Sequence, residues 1–251
     1  MNYSPTAENA MVSSELPSLN RAEQFGLGPP APYLKYLELR VFLEAMALLP
    51  AAPVLFAQPR GDGHRVIVVP GFLFGERSTW VLRHYLRWLG YNAVDWGFGV
   101  NRGKPERDAE RLTARLREED SDAPFSLVGW SLGGVISRLV AAELPERARQ
   151  VVTMGTPVEG GPKYTVAAAS FARRNKIDLD TFEAHVHERN SEGLKAPITA
   201  IYSKSDGVVG WTSAIDRYNP QTKHRRIWGS HVGLGLNPLS LRAVARALAG
   251  R

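Results

Sequence analysis

The sequence predicts an α/β fold in which a mostly parallel central sheet is flanked by helices. Two observations carry that expectation. Short apolar runs rich in β-branched residues recur at 65–69, 125–128, 150–154 and 197–202, each of strand length and bounded by glycine, proline or polar turn residues. The second observation is local: Gly129-Trp130-Ser131-Leu132-Gly133 stands between one of these runs and a helix-like stretch, a strand, sharp turn and helix in succession.

In chain order, 1–19 is polar and proline-punctuated, without the basic start and apolar core of a secretory signal, and reads as a flexible tail. Residues 33–49 are mostly apolar with Lys35, Glu38, Arg40 and Glu44 as their only charges, which predicts one helix of about five turns. Docking of its apolar face on the following domain is the expected arrangement, ahead of an entrance flap, a membrane-surface contact or a dimer interface. The charges and Pro50 and Pro53 break any run of about eighteen apolar residues, so a membrane span is not expected.

Arg65-Val66-Ile67-Val68-Val69 is a strand, and Pro70-Gly71-Phe72-Leu73-Phe74-Gly75 a glycine-bracketed loop after it. Residues 91–96 form a second strand. The loop 97–103 has its third glycine one residue late for a dinucleotide-binding turn and is read as an ordinary turn. Residues 102–117 mix cations with Glu106, Asp108 and Glu110 as an exposed helix does. After the strand 150–154, residues 158–195 hold two short helical stretches, 164–174 and 181–189, expected to form a helical cap. Strands follow at 197–202 and 224–228, and the last helix at 239–248.

A serine on so sharp a turn is a nucleophile candidate, but it needs a base to take its proton and an acid to orient that base. Asp206 follows the strand 197–202, and His231 in Gly229-Ser230-His231 leaves the strand 224–228. Ser131 as nucleophile, His231 as base then acid, and Asp206 as orienting acid complete a triad in the order serine, acid, histidine. Glu159, after the strand 150–154, is the competing acid. The backbone amides of Leu132 and Phe72 are the expected oxyanion donors.

Taken together, Pro70-Gly71-Phe72, Gly129-Trp130-Ser131-Leu132-Gly133-Gly134, Met154-Gly155-Thr156-Pro157, Ser205-Asp206-Gly207-Val208-Val209 and Gly229-Ser230-His231 resemble the α/β-hydrolase superfamily, particularly bacterial esterases and lipase-like hydrolases. The resemblance covers roughly 64–250. It implies an α/β-hydrolase catalytic domain at 61–251 with a cap at 158–195 and an N-terminal helical extension at 1–60. It also implies carboxylic-ester hydrolysis through an acyl-enzyme, with thioesterase, amidase or acyltransferase activity, or a non-catalytic ligand-binding role, as alternatives. Many such enzymes carry His-Gly where this chain has Pro70-Gly71.

Composition sets limits. With 251 residues and 44% hydrophobic content, the chain makes one α/β domain. It has no cysteine, so thiolate chemistry is excluded, and a cytoplasmic location is expected. The net charge of +6 is dispersed among acids rather than interleaved with aromatics, which argues against a nucleic-acid partner. No cofactor is expected. No metal is expected either, because His185 and His187 point apart on a helix and lack an acidic or thiolate companion. The expected partner is a small hydrophobic ester.

Overall fold

The computed structural model describes residues 16–119 and 122–250. Six strands, β1 (Arg65–Val69), β2 (Asn92–Asp95), β3 (Phe125–Trp130), β4 (Ala148–Met154), β5 (Ile198–Ser203) and β6 (Lys223–Ile227), form one sheet in the order β2-β1-β3-β4-β5-β6. Every pairing is parallel. The mostly parallel sheet flanked by helices thus stands as expected from the apolar runs, with strand ends shifted by one or two residues. All six residues of β3 are buried, as a central strand covered on both faces must be.

Two apolar layers cover the sheet. On one face Val66, Val68, Val128 and Val152 pack with Leu82 and Leu86 of α5 (Trp80–Trp88) and with Leu241 and Val244 of α10 (Pro238–Leu248). On the other, Ile67, Leu127 and Val151 meet Leu112 and Leu116 of α6 (Pro105–Glu118) and Ile136 and Val140 of α7 (Leu132–Glu143). The parallel register brings the C-terminal ends of β1, β3, β4 and β5 to one edge, where ligands gather in open α/β sheets.

Two expectations about the N-terminus are corrected. Of the tail expected at 1–19, residues 1–15 lie outside the described residues, but from Leu16 the chain is helical, in α1 (Leu16–Phe25). The single helix expected at 33–49 is broken. It runs as α2 (Leu34–Leu37), a 3-10 turn over Glu38–Arg40 and α3 (Val41–Met46), then bends by 60° into α4 (Leu48–Phe56). Pro50 causes the bend. In a continuous helix its ring would strike the carbonyl of Met46, whereas in the first turn of a new helix its missing N–H costs nothing.

The segment's orientation is also the reverse of that expected from its composition. Three of its four charged side chains, Glu38, Arg40 and Glu44, face the domain, with Glu44 only 5% exposed, while Lys35 stays exposed and Phe42, Met46 and Leu49 are 70%, 72% and 83% exposed. Leu34 and Leu55 are its buried large apolar residues.

The cap consists of α8 (Ala168–Asn175) and α9 (Leu179–Ser191). Asp178 caps α9, its side chain accepting from the amides of Asp180 and Thr181 at 3.1 and 2.9 Å. Its predecessor begins four residues later than expected, because Tyr164 belongs to a 3-10 turn and Thr165 makes an isolated antiparallel bridge to Val209.

Candidate active site

Ser131 sits between β3 and α7 with φ 54° and ψ −124°, a left-handed conformation that side chains other than glycine avoid. The surroundings over-determine it. Its amide donates to the Met154 carbonyl at 2.8 Å, and its own carbonyl accepts from Gly134 at 2.9 Å. A side chain at Gly129 would run into the Gly133 carbonyl and the Gly134 Cα, so strand and helix approach this closely only with glycine there.

Asp206 and His231 come together from separate loops. Asp206 lies beyond β5, where its Oδ1 accepts from the amides of Val208 and Val209 at 2.8 and 2.7 Å, an Asx turn that fixes the carboxylate. Its Oδ2 meets His231 Nδ1 at 2.7 Å, with both residues buried. An ionised carboxylate only accepts, so Nδ1 carries the hydrogen and Nε2 is left with its lone pair. Trp130 Nε1 donates to the His231 carbonyl at 3.1 Å, tying that loop to the elbow. Gly155, with φ 56°, passes so close that a Cβ would lie 3.0 Å from His231 Nδ1 and 3.1 Å from Asp206 Oδ2.

The inward charges of the N-terminal segment hold both loops. Glu38 accepts from the amides of Gly207, His231 and Val232 at 2.7, 2.9 and 2.8 Å. Glu44 accepts from the Ser230 amide at 2.7 Å and its hydroxyl at 3.1 Å. Arg40 donates to the carbonyls of Ser205 and Gly229. Complete burial of His231 would by itself push its pKa down, but the charge and hydrogen bond of Asp206, joined by the charge of Glu38, hold it above the usual histidine value.

Glu159, the competing acid, has other partners. It is 1% exposed and accepts from Arg21 of α1 at 2.8 Å through both oxygens, with Arg217 at 3.8 Å.

The loop after β1 is pinned from a distance. Leu73, at φ 63°, donates its amide to the Asn101 carbonyl at 2.8 Å, and the fully buried Asn101 side chain donates to the Pro70 carbonyl at 2.9 Å. Among the described residues neither the Phe72 amide nor that of Leu132, the first residue of α7, meets a backbone acceptor outside the helices and strands, so both residues bring a free donor to the cavity that Ser131 lines.

Ser131, His231, Phe72 and Leu132 line one cavity of about 560 Å³. Val135 and Leu139 of α7, Phe171 of α8, and Phe182 and Val186 of α9 supply its apolar walls. Phe74 also lines it, whereas Leu73 is exposed and Trp211 stacks on Tyr202 with centroids 6.1 Å apart.

Sequence reasoning placed Ser131, Asp206 and His231 at strand ends, and the fold gathers the last two into contact and the first into the same cavity. Glu38, Arg40, Glu44 and Asn101 were missed as site residues. For the first three the one available signal was the presence of two acids and an arginine in a mostly apolar stretch; Asn101 gave none.

Solved structures share the architecture at low identity. A Bacillus licheniformis lipase, BlEst2 in mature form, matches with TM-score 0.57 at 16% identity, over 76% of this chain and 94% of that one. A putative aryl esterase from Burkholderia cenocepacia matches with TM-score 0.55 at 17% identity, over 77% and 94%. The metagenome-derived lipolytic enzymes LipS and LipT are represented by a match with TM-score 0.57 at 18% identity, over 77% and 96%. Residues 62–244 match the family model of the α/β hydrolase fold, and the chain therefore belongs to the α/β-hydrolase family.

Proposed function

We propose that the protein is a serine hydrolase that cleaves carboxylic esters of hydrophobic substrates through an acyl-enzyme. The observation that carries this reading is the 2.7 Å contact of Asp206 with His231 Nδ1 in the cavity that Ser131 lines. Ser131 Oγ attacks the ester carbonyl carbon while its proton passes to His231 Nε2. The resulting oxyanion accepts from the amides of Leu132 and Phe72, the former at the N-terminus of α7, where the helix dipole adds positive potential. Collapse breaks the carbon–oxygen bond to the alcohol, which leaves with the proton from Nε2. Water then repeats the sequence on the acyl-enzyme, releasing the acid and restoring Ser131. Asp206 keeps the imidazole in the tautomer required and offsets its charge when protonated.

The apolar walls favour an uncharged acyl chain over an ionic one. The testing experiment is labelling with a fluorophosphonate, followed by turnover of p-nitrophenyl esters from acetate to palmitate. Stoichiometric labelling at Ser131 and an optimum above acetate are expected. An unlabelled protein with no turnover would leave ligand binding as the function.

The pH profile is a second test. Because His231 has a raised pKa, the imidazolium persists to higher pH than in free histidine, and the basic form appears only as pH climbs through that raised value. The acid limb of kcat/KM is therefore expected above the ordinary 6.5. In Glu38→Gln one source of the upward shift is gone and the limb moves down in pH. An unmoved limb would sever Glu38 from the imidazole.

A further inference from the structure

We propose that the outward face of α2–α4 is a docking surface for an anionic lipid bilayer. Leu39, Phe42, Leu43, Met46, Leu49 and Phe56 are each at least half exposed along this one bent segment. Isolated exposed apolar side chains need no partner, but a continuous band of them does. The band owes its purity to the inverted orientation described above, since both acids of the segment, Glu38 and Glu44, are spent on backbone amides of the loops bearing Asp206 and His231.

What remains facing out is apolar, aromatic and cationic. Tyr33 and Tyr36 are exposed at one end with Lys35 beside them, its Nζ 4.9 Å from the Tyr36 ring centroid. At the other end Phe56 packs on the part-exposed Trp88 at 4.2 Å, and Arg60 lies over the same Trp88 ring at 4.1 Å. Arg242 and Arg246 share a shallow depression with Arg60. Aromatic rings with a polar edge, set around an apolar band and rimmed by cations, match the headgroup region of an anionic leaflet. A bend of 60° and the inward charges suit a segment lying in the interface rather than crossing it.

A second copy fits less well, because a two-fold contact through this band would set Lys35, Arg60, Arg242 and Arg246 against the same cations of the partner copy. Residues 1–15 are predominantly polar or small, with Tyr3, Met11 and Val12 as their large apolar residues besides Met1, too little to cover the band.

The test is sedimentation of the full chain with vesicles of phosphatidylcholine alone or mixed with phosphatidylglycerol. It reads binding rather than turnover, so its failure leaves the chemistry of Ser131 untouched. Binding to the mixed vesicles, weakened by salt, is expected. Phe42→Ser/Met46→Ser/Leu49→Ser should reduce the partition coefficient by at least about a hundredfold, each exposed apolar side chain contributing roughly tenfold. Lys35→Gln/Arg60→Gln should lose roughly fivefold per cation on the mixed vesicles only, and it serves alone if the triple variant does not fold. Absence of wild-type binding, or binding unchanged in the folded variants, overturns the proposal. So does a dimer seen by light scattering that the triple variant dissociates while neither vesicle binds, which would give the face to a second copy.

Discussion

Replacing Ser131 by alanine is expected to lower kcat toward hydrophobic esters by roughly 10⁴- to 10⁶-fold and to abolish fluorophosphonate labelling. The acyl-enzyme route disappears with Oγ, and what survives is binding and the two amide donors. Stability should change little, because alanine inherits the same φ of 54° and the same backbone bonds to Met154 and Gly134. Circular dichroism and thermal melting of the variant provide that control. Turnover retained within about tenfold of wild type would remove Ser131 from the chemistry.

The next largest effect is expected for Asp206→Asn, roughly 10⁴-fold in kcat. An asparagine amide nitrogen facing His231 donates, which forces the hydrogen from Nδ1 to Nε2 and removes the lone pair that must take the Ser131 proton. If the asparagine oxygen faces His231 instead, the tautomer survives but the negative charge opposing the imidazolium is gone, and the amide nitrogen cannot accept from Val208 and Val209. Glu159→Gln should behave differently, keeping kcat within a few-fold while destabilising the fold by roughly 1–3 kcal/mol, because Arg21 loses its buried counter-charge. Steady-state kinetics and melting of the two variants side by side separate the acids. If Glu159→Gln is the variant that loses turnover, the orienting role passes to it.

The contrast between these acids shows what the sequence could carry. Both follow strands and both stand in turn-forming contexts, so local pattern treats them alike. What divides them is the partner each meets: His231 for Asp206, and for Glu159 an arginine 138 residues upstream. The strands and the elbow were legible because burial on both faces demands continuous apolar runs and the close approach of β3 to α7 demands glycine. Residues 33–49 were misread for a specific reason. Reading a mostly apolar stretch as a docked helix assumes that its charges face water. Here Glu38, Arg40 and Glu44 turn inward because orphan amides and carbonyls of loops some 165 to 194 residues away need them. No window of sequence contains both halves of such a bond. Asn101 was hidden in the same way, inside a loop read only as a turn, although it pins Pro70 and Leu73.

The attachment of α2 and α3 to these loops has a consequence for how the molecule fails. This short segment shares few buried apolar side chains with the sheet and is held chiefly by side-chain bonds, so its opening belongs to the low end of the range of local unfolding free energies. When it opens, Gly207, Ser230, His231 and Val232 lose their carboxylate acceptors together while both sheet layers stay packed. Site assembly is therefore a local equilibrium with its own midpoint. On warming, inactivation should run ahead of global melting, with the amides of 207 and 230–232 exchanging hydrogen early and those of β3 late.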